Sequence, residues 1–508
     1  MMNNQTWKSQ LACKLTKEQS DVVYCDDKLI AVSACPGSGK TRTLVARAVR
    51  LWNETPHKIL ICTFSRAAVD EVKARLDSDY SGRIEVRTLH SLAYQIVREN
   101  WSELTALYGN SKWPAEPVLV TREQEIALLQ EVFPGTDTFK ILDGFEKLRS
   151  YCTHPSLISK LSKKGLMFGR FKQLDIDLWA TYERERHARG LINFDDMIYL
   201  AGVLVGDPLV SGQLMRKFDH ILLDEAQDTS EAEWAILRPM MAGAETTLVV
   251  GDYNQAIFGF RQADGSVLRA FDNIMSATCF KLTESFRLGS KIAQFSNKIV
   301  RDKSYQVSLN EKQASYAIHK FATIEEERDF VLSHLPGSGT FAILSRTHSY
   351  LEQFERELIK KGIHFIGNSF YRSPHIVEMT KELVTVPEAL LDQTVKALFQ
   401  DNQKYDKHVR ADFERARNII KTQGFTSFKT CVDFALSGSD SGITIGTGHS
   451  SKGAEWETVF VVGAHEGHIP HRHSTDLAEE HNLMYVMCTR ASRKLSISYV
   501  GAISRFLK

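Results

Sequence analysis

The segment Ala34-Cys-Pro-Gly-Ser-Gly-Lys-Thr41 constrains this chain more than any other. It follows the apolar run Leu29-Ile-Ala-Val and opens a helical pattern, so strand, glycine-rich loop and helix succeed one another directly. That context is what makes a G-x-x-x-x-G-K-T-like string a phosphate-binding loop, here with Ala34 where a glycine usually opens it. Gly37 and Gly39 let the backbone curl, with Pro36 and Ser38 beside them, so that successive N–H groups face phosphate. Lys40 is placed to reach the β and γ oxygens, and Thr41 offers a hydroxyl to magnesium.

A second segment supplies carboxylates. His220-Ile-Leu-Leu-Asp-Glu-Ala-Gln-Asp228 places Asp224 and Glu225 where a buried strand ends. One acid can then hold magnesium while its neighbour orients water. An acid pair at a strand end is commonly a solvated turn, but a phosphate loop in the same chain favours the chemical reading.

The texture around these segments is α/β. The runs Leu29-Ile-Ala-Val, Lys58-Ile-Leu-Ile, His220-Ile-Leu-Leu and Thr247-Leu-Val-Val each stop at a polar stretch followed by a helical pattern, as strands of a buried parallel sheet do. The pattern returns at Phe341-Ala-Ile-Leu, Gly442-Ile-Thr-Ile, Thr458-Val-Phe-Val-Val and Lys494-Leu-Ser-Ile-Ser, which predicts a second α/β core. The expected division is a first core over 1–100 and 190–278, a helical insertion over 101–189, a second core over 279–375 and 441–508, and a small helical insertion over 376–440.

Composition narrows the partners. With 508 residues, 43% hydrophobic and 25% charged, the chain has enough apolar material for several packed domains. Lys and Arg number 63 against 62 Asp and Glu, so any nucleic-acid site has to be a local groove and not a basic face. The eight cysteines form no C-x-x-C pair, which argues against a zinc ribbon or disulfide framework. No leader-like start or membrane-length apolar run is evident, so the expected location is cytoplasmic, without a membrane partner.

Read in order with their flanks, the motifs resemble superfamily 1 helicases of the UvrD/Rep/PcrA type over nearly the whole chain. The matching segments are Leu15-Thr-Lys-Glu-Gln19, the phosphate loop through Arg42, Cys62-Thr-Phe-Ser-Arg-Ala-Ala68, Arg87-Thr-Leu-His-Ser-Leu92, Asn193-Phe-Asp-Asp-Met197 and Asp224-Glu-Ala-Gln-Asp-Thr229. They continue with Val250-Gly-Asp-Tyr-Asn-Gln-Ala-Ile-Phe-Gly-Phe-Arg261, Leu282-Thr-Glu-Ser-Phe-Arg287, Leu344-Ser-Arg346, Thr447-Gly-His-Ser-Ser-Lys-Gly-Ala-Glu455 and Tyr485-Val-Met-Cys-Thr-Arg-Ala491. The fold this resemblance implies is two RecA-like P-loop NTPase cores with helical insertions.

The resemblance also implies residue roles. Lys40 and Thr41 would meet phosphate and magnesium, Asp224 the magnesium, and Glu225 would act as catalytic base. Gln255 would sense the γ-phosphate or position water, while Arg287 and Arg490 would supply positive charge to it. Gln19 would meet the adenine edge, Arg42 would lie beside the base, Phe286 would stack on it and Glu455 would meet the ribose. Gln19 also fits a capping box with Thr16, and Phe286 also fits an ordinary core aromatic. Phe64, His90, Phe258, Phe260, Arg261 and His449 fall where single-stranded DNA is contacted.

The activity so implied is ATP- and magnesium-dependent, 3′-to-5′ movement on single-stranded DNA and at junctions with duplex, with association with the nucleoid if the source is bacterial or phage. A different reading keeps the ATPase but makes the chain a DNA-sensing subunit of a repair, recombination or phage-defence complex, with a protein partner for loading or effector coupling. Three local departures from the family pattern, and one of length, bear on this. Phe260 stands for the usual tryptophan, Gly448 for the usual leucine with a looser loop expected, and Asp252-Tyr-Asn-Gln255 for a run of three acids. The insertion over 376–440 is much shorter than in the family. The histidines at 465, 468, 471 and 473 invite a metal reading, but the matching family loop needs none.

Overall fold

A computed structural model describes residues 15–76, 80, 82–107, 116–136, 141–142, 145, 173–259, 276–335, 337–367, 370–387, 390, 393–394, 407–437 and 442–508. Its strands, in chain order, are β1 Leu29–Ala34, β2 Ile59–Thr63, β3 Ile84–Thr88, β4 Val118–Leu119, β5 Leu191–Ile192, β6 His220–Leu223 and β7 Thr246–Gly251. They continue with β8 Thr278–Leu282, β9 Ser315–Phe321, β10 Phe341–Ser345, β11 Ile443–Thr447, β12 Trp456–Val461 and β13 Ala491–Val500.

The chain forms two compact units. The first comprises Met1–Ala34 and Gly39–Leu282; the second comprises Thr283–Lys508 with the short segment Cys35–Ser38. Each is built on its own parallel sheet flanked by helices, so the fold is α/β with two RecA-like cores.

In the first unit six strands lie in the order β3-β2-β6-β7-β1-β8, and every neighbouring pair is parallel. The four central strands are the continuous apolar runs, for a parallel strand covered by helices on both faces can expose nothing polar. Every residue of β2, β6 and β7 is buried. Strand β8 closes the sheet against β1 in the register Ile30↔Thr278 to Ala34↔Leu282. Thr278–Leu282 therefore completes the first sheet, which moves the start of the second core from residue 279 to Thr283.

The helices flank this sheet for local reasons. Lys40–Glu54 starts directly from Gly39 with no side-chain cap. Leu89–Glu99 is capped by Thr88, whose hydroxyl accepts the N–H of Ser91, and buries Leu92, Ala93, Ile96 and Val97, the spacing of one helix face. Phe194–Val205 starts in a capping box between Asn193 and Asp196. Asp196 also pairs with the fully buried Arg186, which reaches Glu183 at 2.7 Å as well. Within the region expected as a helical insertion, helices run over Trp101–Leu107, Arg122–Val132 and Gln173–Ala188, and its strand β4 pairs with β5, which lies just beyond it.

The second unit has five parallel strands in the order β11-β10-β12-β13-β9. Helices Pro374–Val384, Lys407–Gln423 and Phe425–Leu436 lie in the shortened insertion and share one apolar cluster with β10 and β11, through Ile376, Phe413, Phe428, Ile343 and Ile445.

The loop around Gly448 is more tightly packed than the glycine suggests. Its N–H donates to Ser345 O at 2.8 Å. A Cβ there would lie 2.7 Å from Leu483 Cδ1 and 2.8 Å from Met487 Cγ, so the volume of the family's leucine is already taken by neighbours. No single helix among the described residues is long and apolar enough to cross a membrane.

Candidate functional site

Parallel strands deliver their C-terminal ends to one edge, and loops there can present side chains and helix N-termini together. Along the first sheet that edge presents His90 just beyond β3, Phe64 beyond β2, Asp224 and Glu225 beyond β6, Asp252 to Gln255 beyond β7 and the phosphate loop beyond β1. The order is aromatic, acidic, amide, then phosphate-binding.

In the phosphate loop Gly37 and Gly39 take φ of +74° and +80°, a region that glycine occupies without the clash a Cβ brings. Lys40, the first residue of its helix, points its ammonium at the acids: Nζ lies 3.5 Å from Glu225 Oε1. Thr41 and Arg42 follow in the first turn, half-buried.

Gln19 does two things at once. Its carbonyl oxygen accepts the Thr16 N–H at 3.1 Å while its own N–H donates to Thr16 Oγ1 at 3.2 Å, closing the capping box. Its amide nitrogen lies 2.8 Å from where a Cβ on Gly39 would stand. The cap therefore holds the buried Gln19 amide against the phosphate loop.

Asp224 is buried, and its carboxyl is pushed up to about 7, first by loss of water and then by the adjacent Glu225, with Lys40 pulling the other way. Asp224 Oδ1 accepts the Glu225 N–H at 2.9 Å. Glu225 itself sits at φ +52°, a conformation costly for any residue with a Cβ. That turn lets two consecutive acids face the same loop instead of alternating across the strand end.

A chain of buried amides and acids then runs from β6 to β7. Gln227 Nε2 donates to Glu225 Oε2 at 2.5 Å and to Asp228 Oδ2 at 3.2 Å. The Gln227 carbonyl accepts the Asp252 N–H at 3.0 Å. Asp252 Oδ1 caps the following turn through the Asn254 N–H at 2.9 Å, and Oδ2 accepts from Gln255 Nε2 at 2.6 Å. Gln255 is thus tied to Glu225 through Gln227 and Asp252. Gln227 and Asp252 stand inside sequence motifs that by themselves give neither a task.

The aromatic positions pair off. Phe64 stacks on Phe258 with ring centroids 4.9 Å apart and planes 18° apart. His90 stacks on Phe194 at 4.3 Å and 15°. Phe194 is half exposed, at 50%, in a segment that the sequence marks only as a helix start. Phe260 and Arg261 lie outside the described residues.

In the second unit, the chain leaving β8 runs beside Cys35–Ser38. Phe286 N–H donates to Gly37 O at 2.8 Å, Ser285 Oγ donates to Pro36 O at 2.7 Å, and the Cys35 thiol donates to Thr283 O at 3.3 Å. The Phe286 ring is 40% exposed, which excludes the reading as a core aromatic. Arg287 Nε donates to Glu455 Oε2 at 2.7 Å and so joins two residues that the resemblance assigns to γ-phosphate and ribose. Arg490 is buried; its guanidinium donates to the carbonyls of Val486 at 2.9 Å and Ala454 at 3.3 Å and to Thr489 Oγ1 at 3.3 Å.

His449 is pushed down to about 4 by burial and then by the nearby Arg346, so it is a neutral imidazole near pH 7. In the histidine-rich loop His468 is drawn into the core, with Nε2 2.9 Å from Ser345 Oγ and its ring against Tyr350. The four histidines of this loop form no metal-ligand grouping among the described residues.

The pattern described as UvrD/REP helicase N-terminal domain matches residues 15–276, and that described as UvrD-like helicase C-terminal domain matches residues 391–502. The ATP-dependent DNA helicase PcrA of Bacillus subtilis is 24% identical over 630 residues, covering 96% of this chain and 83% of that relative. The ATP-dependent DNA helicase UvrD2 of Mycobacterium tuberculosis is 24% identical, covering 97% and 79%. A PcrA of Leuconostoc citreum is 24% identical over 74% of this chain, and there the match spans only about half of the relative, 53%. With the phosphate loop, the acid pair and the β7 glutamine all inside the first matched region, this chain belongs to the UvrD/REP helicase family.

Proposed function

We propose that this chain is an ATP-driven DNA helicase or translocase that moves 3′ to 5′ on single-stranded DNA and works at junctions with duplex. The observation that carries the reading is the Lys40–Glu225 approach at 3.5 Å beside a buried Asp224 whose carboxyl is raised to about 7. Such a cluster suits a ligand that brings both anionic oxygens and a divalent cation.

Oxygen donors from Thr41 and Asp224 fit a hard cation, and magnesium bound there would neutralise charge on the phosphate oxygens. The remaining roles belong to the chain. Loop N–H groups and Lys40 hold the β and γ oxygens, with Pro36, Gly37, Ser38 and Gly39 forming the cradle. Glu225 takes the proton of the attacking water, and Gln255, held by Asp252, fixes that water or reads the γ-phosphate. Gln19, Arg42 and Phe286 bind the base, and Glu455 meets the ribose once Arg287 turns from it toward phosphate. Arg287 and Arg490 add positive charge as the bond breaks, a contribution of roughly 10³- to 10⁵-fold for arginine fingers elsewhere.

The nucleic-acid track would use the stacked pairs Phe64–Phe258 and His90–Phe194, with Phe260, Arg261 and His449. Stacking accepts any base, as a motor requires. Binding and loss of triphosphate would alternately close and open the two cores, each state favoured by its own contacts. A cytoplasmic location, on the nucleoid if the source is bacterial or phage, belongs to the same proposal. The shortened insertion over 376–440 favours a second reading in part, a DNA-sensing ATPase that serves a partner protein without processive unwinding. ATP turnover with and without single-stranded DNA tests the shared core of both: strong stimulation is expected, and turnover indifferent to DNA overturns both.

A further inference from the structure

Three side chains meet at the other edge of the first sheet, where its strands begin. His220 opens β6, His57 stands two residues before β2 and Glu245 stands one residue before β7. His57 Nδ1 lies 3.3 Å from His220 Nε2 and 3.2 Å from Glu245 Oε2, and all three donor atoms lie within 4.8 Å of one another. The rings are tilted by 42°, so the two imidazoles meet through their nitrogens and not through their faces.

These separations have a specific chemical meaning. Zinc takes nitrogen and carboxylate ligands at about 2.0–2.1 Å in tetrahedral geometry, so its ligand atoms stand roughly 3.3–3.4 Å apart. We propose that His57, His220 and Glu245 form a binding site for a divalent first-row transition metal, zinc foremost, with solvent as fourth ligand. Two imidazole nitrogens favour zinc over magnesium or calcium, which prefer oxygen.

The backbone beneath the site is already fixed. Lys58 and Asp219 bind each other twice, through Lys58 N–H to Asp219 Oδ2 at 2.8 Å and Asp219 N–H to Lys58 O at 3.0 Å. Glu245 N–H donates to Asp219 O at 2.8 Å and His220 N–H to Lys58 O at 3.1 Å. All three ligand-bearing segments are therefore tied together before any metal arrives. Outer-shell support is present too: His220 Nδ1 lies 2.9 Å from Thr246 Oγ1, a contact that directs Nε2 toward the cluster. The His57 and Glu245 side chains are 30% and 55% exposed, so an ion can enter and Glu245 can swing to close the third ligand distance.

The site lies at the opposite ends of the strands from the phosphate loop and the acid pair, so the metal would act on the fold and not on phosphate. It would staple the beginnings of β2, β6 and β7, the three strands whose other ends carry Phe64, Asp224 and Gln255.

Untagged full-length protein, stripped with a chelator, would be titrated with zinc chloride against a chromophoric indicator, and its metal content read after gel filtration. Wild type should hold a single tight zinc. His57→Ala, at a half-buried position, and Glu245→Ala, at an exposed one, should each weaken it by more than about 100-fold, beyond what loss of an outer-shell partner alone produces. A His471→Ala/His473→Ala protein should bind as wild type does, and zinc should raise the melting temperature of wild type but not of His57→Ala. Equal zinc affinity in wild type, His57→Ala and Glu245→Ala overturns the proposal, as does loss of the zinc in the His471/His473 variant.

Discussion

Gln227 joins Glu225 to the β7 loop: its amide nitrogen donates to the Glu225 carboxylate at 2.5 Å while its carbonyl accepts the Asp252 N–H at 3.0 Å. One amide thereby orients the proposed base and, through Asp252, the proposed sensor Gln255. Replacing it by glutamate would set a third acceptor against Glu225 and Asp228. Gln227→Glu should lower kcat for DNA-stimulated ATP hydrolysis by about 10- to 100-fold, the scale of a slightly misplaced catalytic group, with little change in KM for ATP. Unchanged kcat contradicts the relay.

Lys40 brings its ammonium to 3.5 Å from Glu225 of the acid pair. Lys40→Ala should cut turnover by at least about 10²- to 10³-fold, as loss of one preorganised charge donor does elsewhere. Steady-state hydrolysis at saturating ATP and DNA checks this, and activity near that of wild type removes the phosphate-loop assignment.

Asp224 gives the protein a pH signature. Its carboxyl is raised from 3.8 to about 7, chiefly by burial. A group that holds its proton more tightly when folded supports the fold in acid, and that support is lost as pH rises from about 4 through 7. Without divalent cation, Asp224→Asn should melt at or below the wild-type temperature near pH 5 and above it at pH 8. Magnesium should narrow the gap at pH 8, because a cation favours the ionised carboxylate. Parallel melting curves at both pH values would falsify the assigned shift.

The stacked aromatics predict a separation of effects. Each base stacked on an aromatic ring is worth roughly 1–3 kcal/mol. Phe64→Ala and Phe194→Ala should therefore weaken single-stranded DNA binding by about 5- to 150-fold, read by fluorescence anisotropy, while nucleotide affinity without DNA stays at the wild-type value. Equal DNA binding would return these rings to a packing role.

Gly448 offers a packing test. Leu483 and Met487 occupy the place of a side chain there, so Gly448→Leu should destabilise the second unit by about 1–3 kcal/mol through overpacking, visible as an earlier urea transition. An unshifted transition contradicts the close fit.

The sequence made the centre of each sheet and the edge strand β11 legible, and hid the other three edges. Runs such as Thr247-Leu-Val-Val stand out because a strand covered on both faces is apolar throughout. Ile84–Thr88, Thr278–Leu282 and Ser315–Phe321 are edge strands with interleaved polar residues, and β9 is almost wholly exposed or half-buried. They need only one apolar face, so no continuous run marks them. The same logic separates the sites. The phosphate loop and Asp224-Glu225 are contiguous motifs that read directly, whereas Gln227–Asp252 and His57–His220–Glu245 are assembled by strand order from distant segments. Nothing in the neighbourhood of His57 along the chain signals that His220 will stand 3.3 Å away.

Strand displacement reads directional, ATP-driven movement on single-stranded DNA. Partial duplexes with either a 3′ or a 5′ single-stranded tail would be incubated with wild type and Glu225→Gln, with ATP turnover followed in the same reactions. Displacement by wild type from the 3′-tailed duplex alone, and by Glu225→Gln from neither, is the predicted result. Displacement from the 5′-tailed duplex, or from the 3′-tailed duplex by Glu225→Gln, contradicts it.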